Sequence, residues 1–124
     1  MKDVRYLPII TRAESCKLNV HDICYVYRCG RKLQFVTDNN VINAYGKMDD
    51  IEKILGDDFF RCMSGCIVNM SRITDMKRRN VYFDNDRLLE LSRDPYIRLK
   101  QRFNAYLIGT FGQYIDGRGT VDKK

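Results

Sequence analysis

The sequence lacks most of the features that announce an enzyme, a metalloprotein or a membrane protein. It has no run of eighteen apolar residues, so no bilayer-crossing helix is expected. The opening stretch MKDVRYLPIITRAE carries charges where a secretory signal needs an apolar core, which makes the cytoplasm the expected compartment. The single histidine, His21, stands beside Asp22 just ahead of an apolar strand. That is a surface or capping position rather than that of a base for a cysteine nucleophile. G-x-S-x-G, P-loop, H-E-x-x-H and glycine-rich dinucleotide spacings are all missing, so neither catalysis nor a cofactor is expected. Cys24 and Cys29 are separated by four residues, Cys62 and Cys66 by three, and no tight C-x2-C pair occurs. Cys24 and Cys29 also fall on opposite sides of a period-two strand, which argues against zinc. Five cysteines leave at least one thiol unpaired in any disulfide scheme, and a chain of 124 residues with 44% apolar residues does not need such staples. The cysteines read as reduced, small, buried apolar residues.

What is present is charge, short strands and two amphipathic helices. Residues 1–62 carry ten Lys/Arg against nine Asp/Glu, whereas residues 63–124 carry twelve against seven, so the net charge of +6 sits mostly in the second half. A basic half is compatible with a polyanionic partner such as nucleic acid. DICYVYR alternates, with Ile23, Tyr25 and Tyr27 on one side and Cys24, Val26 and Arg28 on the other, and KLQFVT follows after a turn at Gly30. A further strand is expected at Val41 to Ala44. MDDIEKILG predicts a helix: Met48, Ile51 and Leu55 share a face, Asp49 and Glu52 resemble a capping box, and Gly56 is a stop. ITDMK, NVYF and RLLELS predict a meander, with RRN and DND as its turns. The last helix is expected to be capped by Asp94, with Pro95 at its first position and Tyr96, Leu99 and Phe103 on its inner face. Residues 1–108 are read as one domain and 109–124, with four glycines and no period, as a flexible tail. No internal repeat stands out.

The order of these segments carries a resemblance. DDFFRCMSGCIVNMSRI resembles the central signature of the LytTR family of DNA-binding domains, F-x-R-x-H-R-S-x-x-V-N, with Arg61 and the Ile67 to Asn69 run in register. DICYVY resembles the family's D-I-x-Y-I-E strand, the Met48 to Leu55 helix falls where the family has one, and LSRDPY resembles V-S-R-x-Y. The similarity runs from about Lys17 to Leu107. It implies an α+β fold of mainly antiparallel β-strands with short helices and a C-terminal helix. It also implies a bacterial transcription regulator, of the kind found as response-regulator output domains, whose loops enter the major grooves of double-stranded DNA.

Carried over by position, base contacts would fall on Arg31 or Lys32 in the hairpin loop, on Met63 and Ser64 in the middle loop and on Arg93, with Arg61 and Arg79 on phosphates. Met63 stands where the family has His, Ser64 where Arg or Asn is common and Gly65 where Ser is common, so the middle loop is expected to have fewer donors and more flexibility. Tyr27 replaces the family's Glu. No receiver or membrane segment is expected ahead of the domain, and a homodimer or tandem copies on repeated sites are both open. A protein-interaction module of the same fold that has lost DNA binding and modulates a partner regulator is the alternative. Because the core and not a metal is expected to hold the fold, a strong chelator should leave the thermal unfolding midpoint unchanged; a large drop would overturn this account of the cysteines.

Overall fold

A computed structural model of the chain describes residues 5–117 and the backbone of residues 121–123. Strands β1 (Tyr6–Ile10) and β2 (Ser15–Asn19) form a hairpin that leads into β3 (Ile23–Cys29), β4 (Lys32–Thr37) and β5 (Val41–Tyr45). Helix α1 (Met48–Leu55) precedes β6 (Phe59–Met63) and β7 (Cys66–Asn69). A meander of β8 (Ile73–Lys77), β9 (Asn80–Phe83) and β10 (Leu88–Glu90) follows, then helix α2 (Arg93–Phe111) and a short hairpin of β11 (Gln113–Ile115) and β12 (Val121–Lys123). The central sheet has the order β5-β4-β3-β7-β6, and every strand pairing is antiparallel.

Both faces of the central sheet are covered. Leu7 and Ile9 of β1, with Met48 and Leu55 of α1, pack on Val26, Leu33, Phe35 and Ile67. On the other face, Val81 and Leu89 of the meander, with Leu99 and Phe103 of α2, pack on Cys62, Cys66 and Val68. Strand β7 is therefore buried at every residue, and its first three, Cys66 to Val68, read as a continuous apolar run rather than an alternation. The same double burial corrects the expected faces of β3. Its register shifts between Ile23 and Tyr25, where a bulge inserts one residue. Ile23 thus joins Val26 in one core, while Cys24 joins Tyr25 and Tyr27 in the other.

The helix ends differ from expectation in instructive ways. Lys47, not an acidic residue, occupies the N-cap of α1 and makes no side-chain cap bond, so Asp49 and Glu52 do not form a capping box. Asp49 lies inside the first turn, and its carboxylate, with that of Glu52, goes to Arg61 instead. At the other end, Arg5 donates to the Ile54 and Leu55 carbonyls at 2.7 and 2.6 Å, a cation on the negative pole of the helix. In α2 the N-cap is Ser92 rather than Asp94: the Tyr96 N–H already donates to the Ser92 carbonyl. Pro95 falls in the first turn, where its missing N–H costs nothing. The helix passes Gly109 and ends at Gly112, whose left-handed φ of 82° lets its N–H reach the Ile108 carbonyl. Residues 109–111, expected to begin the tail, are its last turn.

Turn chemistry also departs from simple rules. Asp86 takes the left-handed geometry expected of the β9–β10 turn, but in the β8–β9 turn the left-handed residues are Arg78 (φ 53°) and Arg79 (φ 65°). Two non-glycine residues in this region cost on the order of 1 kcal/mol each. Two single-turn 3-10 helices, Val20–Asp22 and Met70–Arg72, join strands of different layers. Each is capped by an asparagine, Asn19 or Asn69, whose side chain accepts the N–H two residues on at 3.0 Å. The stretches LNVHDI and VNMSRI are a local sequence echo of this shared geometry.

The second of these turns presents Arg72, a buried guanidinium that ties three connections together. Its Nε donates to both Asp84 carboxylate oxygens at 2.9 and 3.0 Å, and Nη2 to Asp84 and Asp38 at 2.6 Å each. Nη1 donates to the His21 carbonyl at 3.0 Å. The β2–β3, β4–β5 and β9–β10 connections thus meet on one side chain. Burial works to raise the Asp38 carboxyl, but the bonds from Arg72 and Asn85 outweigh it and hold the group below the usual carboxylate range. Arg72→Met is expected to lower unfolding free energy by about 3 kcal/mol, because it strands two partly buried carboxylates. Since Asp38 titrates lower folded than unfolded, its contribution is fully present above the unfolded value of about 3.9 and is lost as pH falls through the folded value. Urea midpoints should therefore separate wild type from Asp38→Asn at neutral pH and converge in strong acid; a constant gap would contradict this linkage.

Candidate nucleic-acid interface

One end of the central sheet gathers the first group of site residues. Cys29 pairs with Lys32, leaving Gly30 and Arg31 as a two-residue turn, and Gly30 takes a φ of 65°, which the first position of a II′ turn requires. Arg31 and Lys32 are exposed, and Lys32 Nζ lies 5.6 Å above the Tyr45 ring. Met63 pairs with Cys66, so Ser64 and Gly65 form a second two-residue turn. The Arg28 N–H donates to the Gly65 carbonyl at 2.8 Å and joins the two turns side by side. Arg31, Lys32, Met63 and Ser64 are in this way brought to a common edge, with Ser64 exposed and Met63 half-buried.

Arg61 sits behind that edge and is fully engaged. Its Nε and Nη2 donate to the Ser64 carbonyl at 3.2 and 2.8 Å, while Nη1 reaches Asp49 at 2.5 Å and Glu52 at 3.1 Å. Asp49, held below the usual carboxylate range by the Arg61 hydrogen bond and charge, stays ionised. The flexibility expected of the Ser64–Gly65 turn is thus opposed on both sides. Gly65 does not use the left-handed conformation open to it, because its carbonyl is held by β3 and that of Ser64 by Arg61.

Arg79 and Arg93 form a second group. The Leu91 N–H donates to the Arg79 carbonyl at 2.9 Å, which sets the β8–β9 turn beside the start of α2. Arg93 is the first helical residue and is largely exposed; its one close carboxylate, Asp94 at 3.6 Å, is equally exposed, and such a pair adds little. The two groups are linked by Arg98, one turn into α2, which donates Nε and Nη2 to the Cys62 carbonyl at 3.1 and 2.9 Å. Sequence reasoning missed this role for Arg98, because nothing in a helix face marks an arginine that reaches a neighbouring strand end. Arg102 adds a contact 5.9 Å from the Phe60 ring.

The LytTr DNA-binding domain model matches residues 13–104. The chain belongs to this family. It is a family of DNA-binding domains, not of enzymes. Among solved structures, the LytTr DNA-binding domain of a Bacillus cereus protein described as a response regulator has the same fold, with a TM-score of 0.65 at 16% identity over 83% of this chain and 98% of that one. A comparison with curated protein sequences finds no match. Among the described residues, no helix is long and apolar enough to cross a membrane.

The cysteines of this LytTr domain are placed by its core. Cys24, Cys62 and Cys66 are buried, Cys16 is half-buried, and Cys29 is exposed at the end of β3. The hydrogen bond shared with Cys62 and burial together push the Cys66 thiol up, and burial does the same for Cys24. Thiolate is the reactive form, so these two should be inert in the native state. Mass-resolved labelling with iodoacetamide is expected to modify Cys29 first, with Cys24 and Cys66 labelled only on unfolding; early modification of either would contradict the packing described.

Proposed function

We propose that this LytTr domain is a sequence-specific transcription regulator that reads the major grooves of duplex DNA with turns mounted on its sheets. One observation carries the reading: the β3–β4 turn, the β6–β7 turn and the start of α2 are cross-tied by Arg28–Gly65 and Arg98–Cys62, so that the cations Arg31, Lys32 and Arg93, with the Ser64 hydroxyl between them in the chain, are displayed from a tied base. Arg31, Lys32, Ser64 and Arg93 are the base-reading groups. Arginine forks onto guanine O6 and N7, and the serine hydroxyl serves either kind of edge. Arg79 is a phosphate contact. Met63 offers only apolar contact, suited to a thymine methyl, so this turn reads fewer positions than a His-bearing one.

Affinity for duplex DNA should fall steeply with salt, each phosphate contact adding about 0.9 to the log–log slope. Arg93 decides the sequence-specific part. It starts from a helix terminus held by Pro95 and Leu99, and lysine cannot reproduce its planar fork. Arg93→Lys is expected to keep the fold and lose on the order of 1 to 3 kcal/mol on a preferred duplex, with non-specific binding nearly unchanged. Fluorescence anisotropy on a duplex selected from a random pool, and on an unrelated one, measures both. A parallel loss on the two duplexes would make Arg93 a phosphate contact only. No binding at low salt would favour a domain of the same fold that acts on a partner regulator.

A further inference from the structure

We propose that Arg61, together with Asp49 and Glu52 of α1, is a positioning clamp that sets the β6–β7 turn, and that these acids are specificity determinants although they touch no base. This deepens the DNA-reading role given to Ser64 above and rests on it. The turn has two peptide units that could rotate. The carbonyl of the second is held by the Arg28 N–H at 2.8 Å. That of the first, Ser64 to Gly65, is held by two donors of one guanidinium. A trans peptide points its N–H opposite its carbonyl, so fixing the Ser64 oxygen on Arg61 also fixes the Gly65 N–H on the other side. A rotation of this unit would exchange donor for acceptor at the tip of the turn, next to the Ser64 hydroxyl.

The guanidinium is itself held in place. Asp49 and Glu52, three apart on α1, lie on one face of the helix and share Nη1 between them. With Nε and Nη2 on Ser64 and Nη1 on the acids, the strongest donor directions of Arg61 are committed, and its charge is more than matched by two carboxylates. A group in that state is poorly suited to neutralise a phosphate. The acids are exposed, at 78% and 50% of the side chain, so the clamp adds little to stability and acts on orientation. Gly65 fits the same account: a Cβ there would stand 3.4 Å from the Arg28 Cβ, in ordinary contact, so the glycine does not relieve a clash and the turn depends on its two tied carbonyls for definition.

The decisive comparison is between charge changes of opposite sign. Arg61→Gln removes a positive charge, and the double substitution Asp49→Asn with Glu52→Gln removes two negative ones. Simple electrostatics moves DNA affinity in opposite directions for the two. The clamp instead requires both to lower the ratio of affinities for a selected duplex over an unrelated one, by about tenfold. It also requires the salt slope of Arg61→Gln to stay at the wild-type value, where loss of a phosphate contact would reduce it by about 0.9. A DNA-free measurement separates this inference from the function it rests on: nitrogen-15 relaxation of Ser64 and Gly65 should show increased motion in both variants, with circular dichroism unchanged. If the selected duplex binds better to the acid-neutralised protein, or the slope falls in Arg61→Gln, or the turn amides do not change, the clamp is overturned. If wild-type protein selects no duplex, the DNA-reading proposal fails, and the clamp stands or falls on the turn amides alone.

Discussion

The three layers of this LytTr domain depend on one guanidinium. Arg72 has donors in three directions, and the chain supplies an acceptor from a different connection to each: the His21 carbonyl, Asp38 and Asp84. Removing a cation from water costs several kcal/mol. That cost is met here because the two carboxylates keep part of their hydration, with 35% and 44% of their side chains exposed, while the guanidinium keeps 9%. Apolar contacts alone would let the meander slide over the central sheet with small loss, since hydrophobic attraction has no direction. A fork that must find three acceptors allows one arrangement. Asn85 and Arg87 extend the same junction, with Asn85 on Asp38 at 2.7 Å and Arg87 Nε on the Thr37 carbonyl at 3.1 Å.

Much of this fold was legible because local signals agree with it. Alternation found β4, glycine found the β3–β4 turn, and helical spacing found α1 and the inner face of α2. What stayed hidden was tertiary in origin. The bulge in β3 changes which side Cys24 faces, and burial on both sides of the sheet hides it, because no polar residue marks where the alternation slips. Asp49 and Glu52 have capping-box spacing, yet a cation reaches them from β6, 12 and 9 residues further along the chain and adjacent in the folded one. Helix α2 outlasts its expected end because Gly109 tolerates helix and Gly112 is the residue that takes the left-handed conformation.

Arginines show most clearly why a site is harder to read than a fold. Arg5 holds a helix end, Arg61 a turn, Arg72 a junction, Arg87 a strand end and Arg98 the seam between α2 and β6. Arg31, Arg79 and Arg93 project from turns and a helix start. All have the same side chain, and no composition or spacing rule divides the first set from the second. The division comes from whether a carbonyl or carboxylate lies within reach, which only the packed structure decides. The family signature located the segment holding Arg61 without revealing which way its guanidinium points.

The β8–β9 turn brings a different consequence. Arg78 and Arg79 occupy left-handed positions that glycine or asparagine fill without strain, so this hairpin is less stable than its own geometry allows. Selection for stability alone would drive the pair toward Asn-Gly and, with it, remove two positive charges from the edge of the domain. Folding and charge therefore make opposing demands on the same two residues, and the turn stands as a local compromise in which the chain accepts a looser hairpin and keeps its cations.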